Sequence, residues 1–419
     1  MNALAESTIR DIELWEAGEG RTRWAMRHSP VLQRLAKTVL ADGALSGKRL
    51  ALVIHLGPKT AYLAVMLAEA GADLVVVSSN PGSVHDDVAA ALVKRGIRVH
   101  AIRGCSPEEW ESHLDRAIEF APQLIMDDGA EIVSRLVTRR PDLAGQIVGS
   151  SEETTTGVHR LEALSKEGRL TWPAIAANSA KCKHLFDNRF GTGQSALASI
   201  IRNTNLWLAG KHVVVAGYGW VGKGVAEYAR GWGARVIVTE VDPVAALEAH
   251  AFGHQVMSMD EAAGIGDVFV TCTGSLNVID QDHLARMKDG ALLSNAGHHA
   301  LEINVSALEA MAVSRRAARP NVTEYTLPNG RRLHLIARGH LVNITAAEAH
   351  PIEIMDLTFA VQARALHYLA RHGAEMAPGV HLLPEEIDAS IARTKLESLG
   401  IFIDAITPQQ ETFLAQWQA

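Results

Sequence analysis

The sequence predicts an α/β protein built on two doubly wound parallel sheets, and three observations carry that prediction. The chain has 419 residues, too many for a single hydrophobic core. Between residues 49 and 135, short apolar runs alternate with helical patterns. A second series of the same kind starts near residue 211. Alternating β and α segments imply parallel strands covered by helices.

Taken in order, a helical amino-terminal segment leads into "RLALVIH", "ADLVVVSS", "IRVHAI" and "PQLIMDDG", which read as strands. "TAYLAVMLAEA", "DDVAAALVKR" and "PEEWESHLDRAIEFA" read as the helices between them. The second series runs through "KHVVVAGYGWVGKGVAEYARGWGARVIVTEVDP", "VFVTCTG" and "ALLSNAGHH". From residue 350, "HPIEIMDLTFAVQARALHYLARHG" has the pattern of one long helix able to pack on either sheet. There is no repeat of solenoid period and no low-complexity linker. The expected division is residues 1–180 with 350–400 as one domain, 190–348 as the other, and 401–419 as a short tail.

Composition narrows the function. At 47% hydrophobic and 21% charged, the chain has the make-up of an ordinary globular protein. A net charge of −7 offers no basic footprint for nucleic acid. No apolar run reaches the roughly 18 residues that span a bilayer. The opening "MNALAESTIRDIELWEAGEG" lacks the layout of a signal peptide. Cys105, Cys182 and Cys272 are widely spaced and support neither a disulfide framework nor a cysteine-rich zinc site. His250 and His254 have metal-ligand spacing without the glutamate of H-E-x-x-H, and are read as surface residues. The expectation is a cytoplasmic protein with a small-molecule substrate and no metal, nucleic acid or membrane partner.

The clearest motif is "VVVAGYGWVGKG", in which Gly217, Gly219 and Gly222 follow an apolar strand as G-x-G-x-x-G. The three glycines allow a tight turn, backbone approach to a pyrophosphate, and close contact of helix and strand. The next strand ends in Glu240, placed to bind both ribose hydroxyls and to repel a 2′-phosphate. That favours NAD over NADP.

Other polar residues cluster where a fold does not need them. His55 ends the first strand in "HLGPKT", and Lys59 falls in the first turn of the next helix, where the helix dipole disfavours a cation. Asp127 and Asp128 end a strand, and "SEETTTGVHRL" packs two acids and three threonines together. Lys183 precedes Asp187 by four residues, so on a helix the two share a face. Alone, that pair reads as a surface salt bridge of little worth.

Together, "DDG", "SEETTTGVHRL", "KCKHLFDN", "GYGWVGKG", "GARVIVTEVDP", "NAGHH" and "LVN…HP" occur in one order that resembles the S-adenosylhomocysteine hydrolase family, from about residue 45 to 400. The resemblance implies two Rossmann-like domains, one for substrate and one for a tightly held NAD regenerated in each turnover, in a homo-oligomer (tetramer or dimer). Oxidising the 3′-hydroxyl of a nucleoside acidifies the 4′-hydrogen, a base removes it, and the 5′-substituent leaves by elimination. The cofactor carries the redox step and the protein supplies position and proton transfer.

By the same resemblance, Lys183 and Asp187 handle the 3′-hydroxyl proton and the 4′-hydrogen, and Glu153 holds the 2′- and 3′-hydroxyls. His55 and Asp128 serve the 5′-carbon, and His298 closes over that side. Thr154, Thr155, Thr156, Asn188 and Asn343 hold the nicotinamide and its ribose. Asn178 fixes Lys183, and Lys59, Thr60, His299 and His350 contact substrate. A lysine acts as a base only if burial or a neighbouring cation lowers its pKa.

The departures from the family pattern gather at substrate recognition. The family's H-x-T-x-E-T has a glutamate that reads the adenine amino group; here Gly57 and Lys59 occupy the threonine and glutamate positions. An ammonium only donates hydrogen bonds. The family's S-T-Q-D becomes "VHDD", its cysteine after "FDN" becomes Thr192, and its His-Phe gate becomes His298-His299. Glu348 stands where the family is apolar, Trp220 replaces an acid, and the Lys- and Tyr-containing tail is absent from "FLAQWQA". The reading drawn is a divergent enzyme that keeps 3′-oxidation and 5′-elimination but acts on another adenosine-type nucleoside, by 4′,5′-dehydration or hydration. A genuine adenosylhomocysteinase is the first alternative. The second, a silent NAD-binding regulator, has no need of the six acid–base residues.

Overall fold

The structure, a computed structural model, describes residues 3–417. Six strands form the first sheet in chain order: β1 (Arg49–Val53), β2 (Asp73–Val77), β3 (Arg98–His100), β4 (Leu124–Asp127), β5 (Gly149–Glu152) and β6 (Pro173–Ile175). Eight form the second: β7 (His212–Ala216), β8 (Arg235–Thr239), β9 (Gln255–Val256), β10 (Val268–Thr271), β11 (Ala291–Asn295), β12 (Ser314–Arg319), β13 (Val322–Thr326) and β14 (Arg332–Ile336). The chain then returns to the first sheet and adds β15 (Gly379–His381) beside β6.

The first sheet has the order β15-β6-β5-β4-β1-β2-β3 and is parallel throughout. The second runs β12-β13-β14-β11-β10-β7-β8-β9, parallel except for the antiparallel pairs β12–β13 and β13–β14. Its antiparallel extension, residues 314–336, is not foreseen by the sequence pattern. Both faces of each sheet are buried, so strand residues alternate between two cores. In β1, Leu50 and Leu52 join one cluster while Ala51 and Val53 join the other. In β7, Val213 and Val215 face one way and Val214 the other. Each such buried aliphatic side chain is worth roughly 1.5–3 kcal/mol relative to exposure.

The long helix, Ile352–His372, lies on the first sheet, where Phe359, Val361, Leu366 and Leu369 share a core with Leu50 and Leu52. Its approach is close: a side chain at Gly149 would put Cβ 2.5 Å from Leu369. It brings Thr358 and Gln362 inward, both fully buried. Beyond residue 400 the tail is exposed, with Phe402, Phe413 and Trp417 in solvent. Residues 418–419 of the expected tail lie outside the described residues.

One irregular element joins the two sheets. The short helix Lys181–Lys183 opens into the π-helical turn His184–Gly191, which runs into the helix Thr192–Thr204. The helix Trp220–Gly231 packs against it so tightly that a Cβ on Gly224 would lie 1.8 Å from the Arg189 carbonyl oxygen. Gly224 thus joins the glycine-rich turn to the π segment.

Candidate active site

Strand order reverses at one place in each sheet: between β1 and β4 in the first, and between β7 and β10 in the second. In open α/β sheets, ligands bind beyond the carboxyl ends of the strands at that point. The chain places its polar clusters there. His55 follows β1 and Asp128 follows β4, while Gly217 follows β7 and the Cys272–Gly274 turn follows β10. Residues from both sheets line one cavity of about 420 Å³.

At the first sheet, His55 Nδ1 pairs with the Ser83 hydroxyl at 2.7 Å, and its Nε2 lies 3.4 Å from Asp128 Oδ2. Ser79 donates to the same Asp128 oxygen at 3.0 Å. Burial pushes the His55 imidazole below its ordinary pKa, against the pull of Asp128. The His298 ring stands 6.5 Å from that of His55, and burial lowers its pKa too. Asp127, the other half of the pair, is structural. It accepts from the backbone N–H groups of Asp128, Ile132 and Val133, which caps the helix Glu131–Arg139. Glu152 likewise accepts from Gly129, Ala130 and Thr154. Burial pushes Asp127 up to about 7 and Glu152 well above its ordinary value.

Lys183 is the centre of the second group. Its Nζ is 2.9 Å from Asp187 Oδ1, 2.8 Å from Asn188 Oδ1 and 3.4 Å from Glu153 Oε1. The wider π turn brings residues four and five positions on to the same side, so Asp187 and Asn188 both reach it. The pair is buried, so it is not the exposed salt bridge that spacing alone allows. Burial opposes the Lys183 charge, but Asp187 and Glu153 outweigh it and hold the pKa above the lysine norm. Burial likewise opposes Asp187, yet Lys183 and His350 keep it well below the carboxylate range. Glu153 goes the other way: burial raises it to about 8 against Lys183. The Asp187 Oδ2 atom accepts from Thr358 at 2.9 Å and lies 3.2 Å from His350 Nδ1. His350 Nε2 meets Thr192 at 3.1 Å. Lys183, Asp187 and His350 therefore form a continuous hydrogen-bonded path.

The second sheet is shaped for a dinucleotide. Gly217 has φ +96°, and a Cβ there would meet Thr273 at 2.9 Å. A Cβ on Gly222 would lie 1.9 Å from the Gly217 carbonyl oxygen, while Gly219 faces open space. These are the turn, packing and approach positions that a pyrophosphate needs. Two buried polar atoms on the cavity wall lack a partner among the described residues: Thr156 Oγ1 and Asn343 Oδ1. Buried polar atoms are normally paired, so a ligand group completes them. The residues present fit NAD.

Of the residues singled out from the sequence, His55, Lys59, Thr60, Asp128, Glu153, Thr154, Thr155 and Thr156 line the cavity. So do Lys183, Asp187, Asn188, Gly219, His298, Asn343 and His350. Asn178 stands behind the wall and links Thr155 to Asn188. Gly217 and Gly222 shape the turn beneath Gly219. Glu240 lies outside the lining, its carboxylate accepting from the N–H groups of Tyr218, Val241 and Asp242. His299 packs edge-on to His298 and also lies outside the lining. Thr60 is committed to the His55 carbonyl at 2.6 Å. Lys59 donates to the carbonyl oxygens of Glu348 and His350, and burial pushes its ammonium down to about 8. Contrary to the surface reading, His254 is buried edge-on against Tyr218.

Several contributors carry no sequence signal. Ser79 and Ser83 hold Asp128 and His55, and Gln362 donates to Glu153 at 2.7 Å. Asn295 fixes the His298 loop by accepting from Gly297 N–H and donating to the Gly297 and His299 carbonyls. Glu302 clamps Thr273 and Gly274 through their backbone N–H groups. Among the described residues, no helix is long and apolar enough to cross a membrane. Nor do three or more His, Cys, Asp or Glu side chains gather as metal ligands there.

The chain matches two family models, "S-adenosyl-L-homocysteine hydrolase" over residues 6–142 and "S-adenosyl-L-homocysteine hydrolase, NAD binding domain" over residues 188–349. An adenosylhomocysteinase of Thermococcus kodakarensis is 49% identical over 418 residues, covering 100% of this chain and 99% of that protein. One of Aeropyrum pernix is 50% identical over 412 residues, covering 98% and 99%. An S-inosyl-L-homocysteine hydrolase of Methanopyrus kandleri is 47% identical over 414 residues, covering 99% and 98%. With NAD as its cofactor, the chain belongs to the S-adenosyl-L-homocysteine hydrolase family.

Proposed function

We propose that the protein cleaves the 5′-thioether of a purine nucleoside joined to homocysteine, by transient oxidation at the 3′-carbon. The observation that carries this reading is the pairing, across one cavity, of a buried Lys183–Asp187–Glu153 group with the His55–Asp128 pair. One set suits the sugar hydroxyls and the 4′-hydrogen; the other suits the 5′-carbon. NAD, when bound, supplies the reversible oxidation of the 3′-hydroxyl.

The chain's own groups then move protons. Glu153, neutral up to about pH 8, donates to or accepts from the sugar hydroxyls while Gln362 holds it. Lys183 is an ammonium in the free protein and polarises the 3′-oxygen. It becomes a base only after passing a proton on, and Asp187 and His350 offer the way out. Once the 4′-hydrogen is removed, the thiolate leaves the 5′-carbon and takes a proton from the His55–Asp128 side. Water then adds at the 5′-carbon, its proton going to the same pair, and the 4′-carbon is reprotonated. Thr154, Thr155, Thr156, Asn188 and Asn343 hold the nicotinamide end, and His298 closes over the 5′ side. General acid–base groups of this kind contribute about 10²–10⁴-fold each.

A second reading uses the same residues without homocysteine: loss or gain of water across the 4′,5′ bond of a nucleoside. The change at Gly57, a cavity-lining position, favours it. The test incubates the protein with S-adenosyl- and S-inosyl-homocysteine and with free nucleosides, and follows products by mass. Release of homocysteine from either thioether is the expected result. A product lighter by one water, from a free nucleoside alone, would establish the second reading instead. If no compound produces even transient reduced NAD, both readings fail and a regulatory role remains.

A further inference from the structure

We infer that Lys59 is a positioning residue: its ammonium is a strut that holds the segment 347–350, and through it the His350 ring, against Asp187. Two of the three ammonium hydrogens are committed to that segment's backbone, with Nζ 2.6 Å from the Glu348 oxygen and 2.8 Å from the His350 oxygen. At its far end, the His350 ring is pinned by Asp187 on Nδ1 and by Thr192 on Nε2. Gly191 leaves room for that ring, since a Cβ there would stand 3.2 Å from it.

The segment needs a strut because it has space on both sides. Residues 347–350, with Pro58 and Lys59, line the active-site cavity on one side and a second cavity of about 570 Å³ on the other. It is a partition one chain thick. Within it, Ala349 has φ 61°, a left-handed conformation that a residue with a Cβ adopts only under constraint. Beyond the Ala349 N–H, which donates to the Asn343 carbonyl at 2.8 Å, Lys59 supplies the bonds that tie residues 348–350 to the rest of the fold through the backbone.

An outer brace completes the arrangement. The Glu348 carboxylate pairs with Arg21 at 2.9 Å, and Arg21 also reaches Asp87 at 3.1 Å. Lys59, Glu348 and Asp87 of "VHDD" look like three unrelated changes in the sequence. In the fold they are one connected unit running from the amino-terminal helix Trp15–Arg27 to the hydrogen-bonded path of Lys183.

This inference rests on the proposed function only for its kinetic readout, so the experiment has two. Hydrogen–deuterium exchange on the NAD-loaded protein reads the segment directly. In Lys59→Met, the peptide spanning residues 345–352 exchanges at least about tenfold faster, as expected for losing hydrogen bonds to a charged donor. The value of kcat falls by a similar factor, and equally for the adenine and hypoxanthine thioethers, because a strut does not touch the base. In Lys59→Ala, added ethylammonium restores part of the rate and the protection, while ethanol restores neither. Unchanged exchange, or loss of turnover with one base only, would overturn the strut in favour of a base contact. Should Lys59→Met fail to fold, Arg21→Met tests the outer brace: exchange of the same peptide rises about threefold, and no change there overturns it. If the wild-type protein cleaves neither thioether, the functional reading fails while exchange still decides the strut.

Discussion

The two switch points are built from opposite materials. At the first sheet, the strand ends carry His55, Asp127, Asp128, Glu152 and Glu153, all held by hydrogen bonds or pushed from their ordinary pKa by burial. At the second, the corresponding turns are Gly217, Gly219, Gly222 and Gly274, with neutral Cys272 and Thr273 beside them. One sheet offers charge and protons, the other offers space and backbone. A cofactor that performs its own redox chemistry needs mainly to be held, whereas proton transfer at a sugar needs tuned side chains. The division of labour arises from that asymmetry.

The largest expected effect separates the two ends cleanly. Lys183→Ala lowers turnover by about 10²–10⁴-fold while bound NAD, assayed after denaturation, stays at the wild-type level. Loss of NAD with the activity would show that the two ends are not independent. The converse is Gly222→Ala, whose Cβ would collide with the Gly217 carbonyl at 1.9 Å. There NAD content falls by at least about tenfold, the loss expected when a site cannot close on its ligand, and activity falls with it.

A subtler break uses pH. The unfolded chain ionises Glu153 near its ordinary 4.5, whereas the folded protein keeps it protonated to about 8. The native state therefore binds more protons in that window, and its stability falls as pH rises through it. Glu153→Gln removes that penalty. Its Tm relative to wild type is expected to be about 2–4 °C higher at the alkaline end of the window than at the acid end. An equal difference at both ends would mean that burial does not hold the proton. The smallest effect is expected from Ser79→Ala, which removes one hydrogen bond to Asp128 and costs about 1 kcal/mol in denaturant unfolding.

The same contrast explains what is legible in the sequence. The second switch point is local: glycines, strand and helix fall within one stretch, so the motif reads directly. The first is assembled from distant pieces. Apolar runs reveal β1, β2 and β4, but β5 is "GSSE", buried yet polar, and has no hydrophobic signature. It is stabilised instead by partners far along the chain, Ser150 by Trp172 and Ser151 by Gln362. The long helix is readable from its pattern, but its docking is not, so the pattern alone does not assign Thr358 and Gln362. Lys183 and Asp187 stand out by helical spacing, yet it is the π turn that adds Asn188 to the same group. Lys59 reads as an anomaly without a partner because its partners are backbone carbonyls, which no sequence pattern marks.

That π turn also sets a gauge for the whole molecule. It lies where the chain leaves the first sheet for the second, and Gly224 locks its Arg189 carbonyl against the dinucleotide helix. Removing a single residue between 184 and 191 would restore an ordinary helical pitch, in which residues four and five positions on no longer share one side. Lys183 would keep its place but lose one of its two partners, Asp187 or Asn188. The extra residue thus works like the offset in a vernier: it keeps two scales, one for protons and one for the cofactor, aligned at a single mark.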